Sequence, residues 1–518
     1  MKSGIVWVIG SLAIIVILSA CFNYTNLSIA RSLRRSKEVG IRKVIGALKN
    51  HVLVQFLSEA VIISLLALAF SFVIFLFLKP RLIAMAPELA QIVRLDISFP
   101  AIASFIVFAI VVGVLAGFLP ALFFSRIQAA QALKDLSTLR VFKHVGMRKV
   151  LIVVQYTFSL IFITTTFIGL KQYKNFLSFD LGFNTENVLN IRLQGNNAGQ
   201  LVKELSEIPE VEAVSESLII TSVGNYWGDQ MKYIDQQDSS IIWTNKVSDE
   251  YIPLHQYQLL AGRNFSSKAD SSAGEVIVNE QVLKRFGIAD RDPEEAVGEI
   301  VTLLRGKEKV TIVGVMKDFH YGKLENTIEP VVFCPLGKQR SNYVNVKIST
   351  TDLPSLMTKI EDTWKKIDNV HPLEATFYDD EIEQAYSEYS SMIKIIGFLA
   401  FLAISIASLG LFGMVVFTTE TKLKEVSIRK TLGAGEGSLV FLLSKSFIFL
   451  LTTSAAIALP VTYLFFKLFV LPKFPYHASI GVEIFFGFLI VMSLAFVMIG
   501  LQTLGIARTN PAQVLKNE

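Results

Sequence analysis

Cysteine is almost absent from this chain, and charge is thin. Only Cys21 and Cys334 occur in 518 residues, one inside an apolar run and one outside, so no disulfide framework holds the fold. Charged residues make up 18%, where a water-soluble globular protein carries roughly 25%. No GxxxxGK[ST] phosphate loop is present, so the chain cannot cradle ATP phosphates by that motif. The six histidines are scattered without metal-ligand spacing such as HExxH, so no metal site is expected. Asp318-Phe319-His320 has the look of an acid–base neighbourhood, yet no Ser or Cys motif accompanies it. It reads as a loop leaving the strand before it, and no catalytic residue is assigned.

What the chain does have is long apolar runs. About 20 such residues span a bilayer core as a helix, and seven runs qualify: about 4–24, 58–78, 100–124, 150–170, 395–417, 446–466 and 484–504. Pro460 inside the sixth is expected to kink it. Residues 171–394 hold 34 of the 44 acidic residues but only 23 of the 49 Lys and Arg. The remaining basic residues crowd particular loops, among them Arg31, Arg34, Arg35, Arg42 and Lys43 after the first run, and Lys422, Lys424, Arg429 and Lys430 after the fifth. Short cytoplasmic loops carry such an excess. One topology satisfies all of them, with the N-terminus and the acidic segment outside. The positive balance therefore reports membrane orientation and gives no reason to invoke nucleic acid. Lys2, the first apolar run and Leu18-Ser19-Ala20-Cys21 together also look like a lipoprotein signal. Cleavage there would place Arg31 to Lys49 outside, against the charge rule, so the run is read as a plain transmembrane helix.

The chain also repeats itself. Residues 37–47 read KEVGIRKVIGA and residues 424–434 read KEVSIRKTLGA, identical at eight of eleven positions. Each phrase anchors a larger unit of span, basic loop, span, short outer loop, span and basic tail. The tails match too: Arg126 precedes Ala130-Gln131-Ala132-Leu133-Lys134, and Arg508 precedes Ala512-Gln513-Val514-Leu515-Lys516. As a helix, the phrase carries a narrow apolar stripe of Ile41, Val44 and Ile45, or Ile428, Thr431 and Leu432. Glu38 sits four residues before Arg42 and Glu425 four before Arg429, the favourable order for a surface ion pair. Gly46 and Gly433 follow where a helix commonly stops. Such a helix fits the cytoplasmic membrane face, either resting on anionic lipid or read by a protein partner. The kept order of Lys, Glu and Arg favours the partner.

These residues resemble the FtsX/MacB family of ABC-transporter permeases. The phrase matches a family signature like KEVGIRKxxGA, and Arg508-x-x-Pro511-x-x-x-Leu515-Lys516 matches its closing pattern, with Ala129 standing where copy one would have the proline. Phe179-Asp180-Leu181-Gly182-Phe183-Asn184, Glu275 to Glu280 and Thr311 to Phe319 look like parts of a MacB-like periplasmic core domain. The resemblance implies a multi-pass α-helical membrane protein of about seven transmembrane helices, with a duplicated three-helix permease unit and one α+β extracytoplasmic domain. It divides the chain into a first permease unit (1–138), a linker and fourth helix (139–170), a periplasmic core domain with stalk (171–391) and a second permease unit (392–518). By that pattern the first copy begins at its second helix, lacking the preceding span and outer domain.

The resemblance further implies that the phrases are coupling helices docking a separate cytoplasmic ATPase. Lys37, Glu38, Ile41, Arg42 and Lys43 would fill that role in one copy, and Lys424, Glu425, Ile428, Arg429 and Lys430 in the other. Two phrases would serve two ATPase subunits. The chain itself would bind no cofactor, ATP being used by that partner, and would lie in a bacterial inner membrane facing a periplasmic adaptor or a second permease chain. Exporter and non-transporting regulator of a wall hydrolase or sensor both remain open.

Within the outer domain, segments 187–192, 275–279, 299–304 and 308–316 read as strands and 197–208, 280–287, 353–367 and 379–392 as helices. The last would run into the fifth span as a stalk. Glu59 and Lys445 fall within a residue of equivalent positions in the two copies, just inside the second helix of each. Charges there pair, face an interior or snorkel to the interface, so a Glu59–Lys445 contact and two independent snorkelling side chains are both carried forward.

Overall fold

A computed structural model describes residues 2–85, 98–126, 142–234, 237–266, 274–305, 308–337 and 340–508. The chain divides into two compact units: residues 1–171, 388–468 and 479–518 form one, and residues 172–387 with 469–478 form the other.

The first unit is helical. It is built from α1 (Lys2–Val44), α2 (Lys49–Met85), α3 (Phe99–Arg126), most of α4 (Phe142–Leu177), α10 (Ser387–Thr421), the short α11 (Leu423–Thr431), α12 (Glu436–Phe465) and α13 (Gly481–Ala507). Among the described residues six stretches are long and apolar enough to cross a membrane: Lys49–Arg81, Phe99–Leu122, Lys149–Leu177, Ser387–Thr421, Glu436–Lys473 and Gly481–Ala507. The run expected at about 4–24 lies in α1, whose described apolar stretch, Gly10–Thr25, is shorter than these. Apolar side chains such as Phe70, Phe77, Phe99 and Phe485 are exposed on these helices, as a hydrocarbon solvent allows. The shared core joins Ile152, Tyr156 and Leu160 of α4, Ala403, Ala407 and Leu411 of α10, Phe447 and Leu451 of α12, and Val491 and Ile499 of α13. The pair α2 and α3 packs differently, by backbone approach: a Cβ on Gly117 would lie 2.5 Å from the Ala60 Cβ. Helix α12 continues through Pro460 without interruption and is followed by a π turn at Phe466–Val470 and a 3-10 turn at Leu471–Lys473.

The second unit is α+β. Among the described residues eleven strands pair: β1 (Val188–Arg192), β2 (Val211–Ser217), β3 (Gly228–Lys232), β4 (Ser239–Val247), β5 (Leu259–Gly262), β6 (Glu275–Asn279), β7 (Ile300–Leu303), β8 (Glu308–Met316), β9 (Val331–Pro335), β10 (Tyr343–Ile348) and β11 (Ala375–Phe377). The antiparallel run β11-β1-β10-β2 is covered by α5 (Ala198–Ser206) and α8 (Leu353–Ile367), with Leu201, Leu205, Leu356, Ile360 and Trp364 buried against Leu189, Ile191, Val344 and Val346. The other strands close on themselves, β4-β3-β7-β8-β6-β9 and back to β4, with β5 added to β8. Two clusters fill this part, one around Ile277, Phe319 and Phe333 with Tyr251 and Ile252 of the one-turn α6 (Tyr251–Leu254), and the other around Val276, Ile312 and Val332. Closure leaves these six strands without a free edge, which blunts edge-to-edge aggregation.

Three of the described helices here begin on side-chain caps. Asn197 accepts from the Gly199 N–H, Asn279 from Val282 ahead of α7 (Glu280–Phe286), and Asp352 from Ser355. The helix expected over 379–392 is two helices. Helix α9 (Tyr378–Ala385) stops at Tyr386, and α10 starts at Ser387. Tyr386 is no helix breaker by type. It is held out of helical geometry (φ −103°, ψ 8°) because its ring is buried on Phe176, 5.3 Å between centroids, and its hydroxyl accepts from the Leu324 N–H at 2.8 Å.

Candidate docking surface

The duplicated phrase folds the same way twice. In copy one it forms the last turns of α1, so the separate short helix expected there is instead continuous with the preceding one. In copy two Lys422 (φ −98°, ψ 3°) interrupts the chain between α10 and α11. From that point on the two phrases coincide. Val39 and Val426 are buried, the first against Val52 and Phe56 and the second against Leu439 and Leu443, which occupy matching places in the second helix of each copy. Arg42 bonds Glu38 at 2.6 Å and Arg429 bonds Glu425 at 2.7 Å, both pairs about half exposed. Exposed pairs of this spacing contribute about 0.3–0.5 kcal/mol, so they order the surface more than they stabilise it.

Both phrases end in one backbone motif. Gly46 (φ +104°) and Gly433 (φ +93°) take the left-handed conformation, and no atom crowds the place of a Cβ, so backbone angle alone explains the glycine. Ala47 N–H bonds the Arg42 carbonyl and Ala434 N–H the Arg429 carbonyl, each at 3.0 Å. Gly46 N–H bonds Lys43 and Gly433 N–H bonds Lys430. This is the Schellman arrangement that satisfies a helix's last carbonyls.

Once these contacts are made, Ile41 (50% exposed) and Ile428 (44% exposed) remain as kept apolar side chains open to solvent, beside an ordered ion pair. The stripe read from the sequence is exposed throughout: Val44, Ile45 and Leu432 also face outward. Lys424 and Glu425 are exposed, and the side chain of Lys37 lies outside the described set, as do the tails 130–134 and 511–516.

Among the described residues no salt bridge joins Glu59 to Lys445. Glu59 accepts from Gln55 Nε2 at 3.4 Å, and Lys445 is exposed. The Asp318-Phe319-His320 stretch separates into structural roles. Asp318 accepts from the Gln281 N–H at 3.0 Å and from Lys284 Nζ at 3.0 Å at the start of α7, while His320 packs edge-on against Phe179 and Tyr476. Burial pushes the His320 imidazole down to about 4. Sequence reasoning passed over His255, which is fully buried among Tyr251, Phe183 and Tyr378. Its Nδ1 bonds the Asn184 carbonyl at 2.9 Å, and burial lowers it to about 4.

Comparison with known families follows the same partition. Residues 10–129 and 397–511 match the FtsX-like permease C-terminal family, and residues 151–363 match the MacB-like periplasmic core domain. The chain is of the FtsX/MacB permease type. Each FtsX-like segment contains one copy of the phrase. Over 125 residues the chain is 32% identical to a macrolide export ATP-binding/permease protein, MacB, of Hahella chejuensis, covering 24% of this chain and 18% of that one. It is 31% identical over 125 residues to the pyoverdine export ATP-binding/permease protein PvdT of Pseudomonas syringae, with the same coverage. An uncharacterised ABC transporter permease of Bacillus subtilis, YvrN, matches at 27% over 126 residues, which is 24% of this chain and 30% of that one. The chain thus spans under a third of the length of the curated relatives it matches. Among solved structures, the periplasmic region of MacB from Actinobacillus actinomycetemcomitans is similar over 40% of this chain and 96% of that one, at 16% identity and TM-score 0.30. An FtsX/MacB permease is a multi-pass membrane protein with a periplasmic-type domain, and the family is one of transporter permeases.

Proposed function

We propose that this chain is the membrane subunit of an ABC exporter of a bacterial inner membrane, worked by a separate cytoplasmic ATPase that docks on the two phrases. ATP is bound and hydrolysed by that partner. Closure of its two halves moves the helices of the permease units, and the outer domain is displaced with them. The reading rests on one observation: an exposed isoleucine beside an ordered Glu–Arg pair is built twice on the same buried scaffold. Lipid attraction alone calls for net basic charge and sets no value on this geometry. The relatives whose names state an activity are exporters, and the regulator reading has no observation in its favour.

The test is to express the tagged full chain in its source cells and quantify the co-purifying ABC ATPase by mass spectrometry. Ile41→Glu with Ile428→Glu is expected to cut the retained ATPase at least tenfold while leaving chain yield unchanged. Undiminished ATPase in the double variant would contradict the docking role.

A further inference from the structure

The repeated phrase contains one basic residue whose contact points inward. Lys43 Nζ donates to the Ser125 carbonyl at 2.7 Å, and Lys430 Nζ donates to the Ala507 carbonyl at 2.6 Å. The two lysines hold the same position in the phrase, and Ser125 and Ala507 each precede the arginine, Arg126 or Arg508, that opens the repeated tail. The acceptors are backbone carbonyls at the C-terminal ends of the described α3 and α13. An ammonium there makes a charge-assisted hydrogen bond, shorter and stronger than a neutral one. The Ser125 and Ala507 residues are buried, so each lysine reaches into the structure. Copy two adds a second tie at the same corner, Arg508 Nε to Glu436 Oε2 at 3.6 Å.

We infer that Lys43 and Lys430 are positioning residues that lock each docking helix to the cytoplasmic end of the third helix of its own permease unit. The helix carrying Ile41 or Ile428 then moves as one body with α3 or α13. A displacement imposed at the phrase therefore reaches the third helix directly, and does not pass only through the helix to which the phrase is joined by chain. The sequence repeats the lysine and leaves its partner unmarked, because a backbone carbonyl accepts whatever side chain stands beside it. The functional weight of this lock depends on the docking reading. The lock itself is measured without any ATPase, so each can fail while the other stands.

The experiment uses the full chain in lipid nanodiscs, with Cys21→Ser and Cys334→Ser, and spin-label distances by pulsed electron resonance. One label pair is Ile45→Cys with Leu119→Cys in copy one; the other is Leu432→Cys with Leu501→Cys in copy two, all four being exposed sites. Both pairs are expected to give narrow distributions in the otherwise native chain. Lys430→Met should broaden the copy-two distribution at least twofold and leave copy one narrow, Lys43→Met should do the reverse, and Lys→Arg should restore each. Unchanged widths in the Met variants would overturn the lock. Broadening of both copies by a single Met variant would overturn it as well, since that reports general loosening, and so would failure of Arg to restore.

Discussion

The two permease units keep one corner and rewrite the rest. Helices α2 and α3 of copy one meet through Ala60, Gly113 and Gly117, with backbones in near contact. The corresponding positions of α12 and α13 are Phe447, Ala495 and Ile499, all buried in the core shared with α4 and α10. Arg42 of copy one also bonds Gln55 at 2.7 Å, where copy two carries Leu442. Yet the buried valine, the ion pair, the left-handed glycine and the inward lysine are the same in both. Packing between helices has many solutions of equal worth, and duplication has let it drift. A surface that must meet the same kind of partner twice has few.

That contrast can be broken from either side. The largest effect is expected from Phe447→Ala, which should destabilise the chain by about 4 kcal/mol through cavity formation, whereas Ala60→Phe should cost about 2 kcal/mol by overpacking against Gly117; detergent-solubilised melts of both variants measure this. Equal costs would mean that the two units pack alike. Acid should act on the outer unit and spare the repeats. His255 takes a proton near 6.5 when unfolded and only at about 4 when folded, so the folded state gives up stability as pH falls from 6.5 through 4. The full loss is about 3 kcal/mol. Tryptophan fluorescence follows it through Trp227, Trp243 and Trp364, and His255→Asn should remove this share of the pH dependence while leaving the shares of His320, lowered to about 4, and of Glu381, which burial raises to about 7. Gly46→Ala and Gly433→Ala should each cost about 1–2 kcal/mol, equally, because both positions require only the left-handed angle. Smallest are Glu38→Gln and Glu425→Gln, at about 0.4 kcal/mol each and screened by salt. A difference between the copies in either of the last two pairs would show that the corner is not conserved as a unit.

Much of this architecture is legible from residues alone. Apolar runs are a strong signal in lipid, since every spanning segment must satisfy its own backbone, and all six long spans fall where hydropathy places them. The helical spacing at 197–208, 280–287 and 353–367 gives α5, α7 and α8, and the β-branched segments give β1, β6, β7 and β8. Strands such as β2 (VEAVSES) and β3 (GDQMK) carry polar and acidic side chains, so no local pattern reveals them; β3 is held by a hairpin with β4, and β2 draws its order from β10, distant in sequence. The break at Tyr386 escapes notice for the same reason, its cause being burial against Phe176 and Leu324. Residues 469–478 belong with the outer unit through Tyr476 on His320 and Phe474 on Phe176, contacts that connect segments more than 150 residues apart. At the docking surface the sequence marks which residues recur, and only the structure divides them into those turned inward, Val39 and Lys43, and those left facing out, Glu38, Ile41 and Arg42, of which Ile41 is apolar.

The most direct measurement places a photo-cross-linking amino acid at position 41 in one preparation and at position 428 in another, in cells expressing the full chain. An ABC ATPase recovered as the main adduct from both positions is the result the account predicts. Adducts from one position alone, or to lipid alone at both, would contradict the claim that the two copies present the same surface to the same kind of partner.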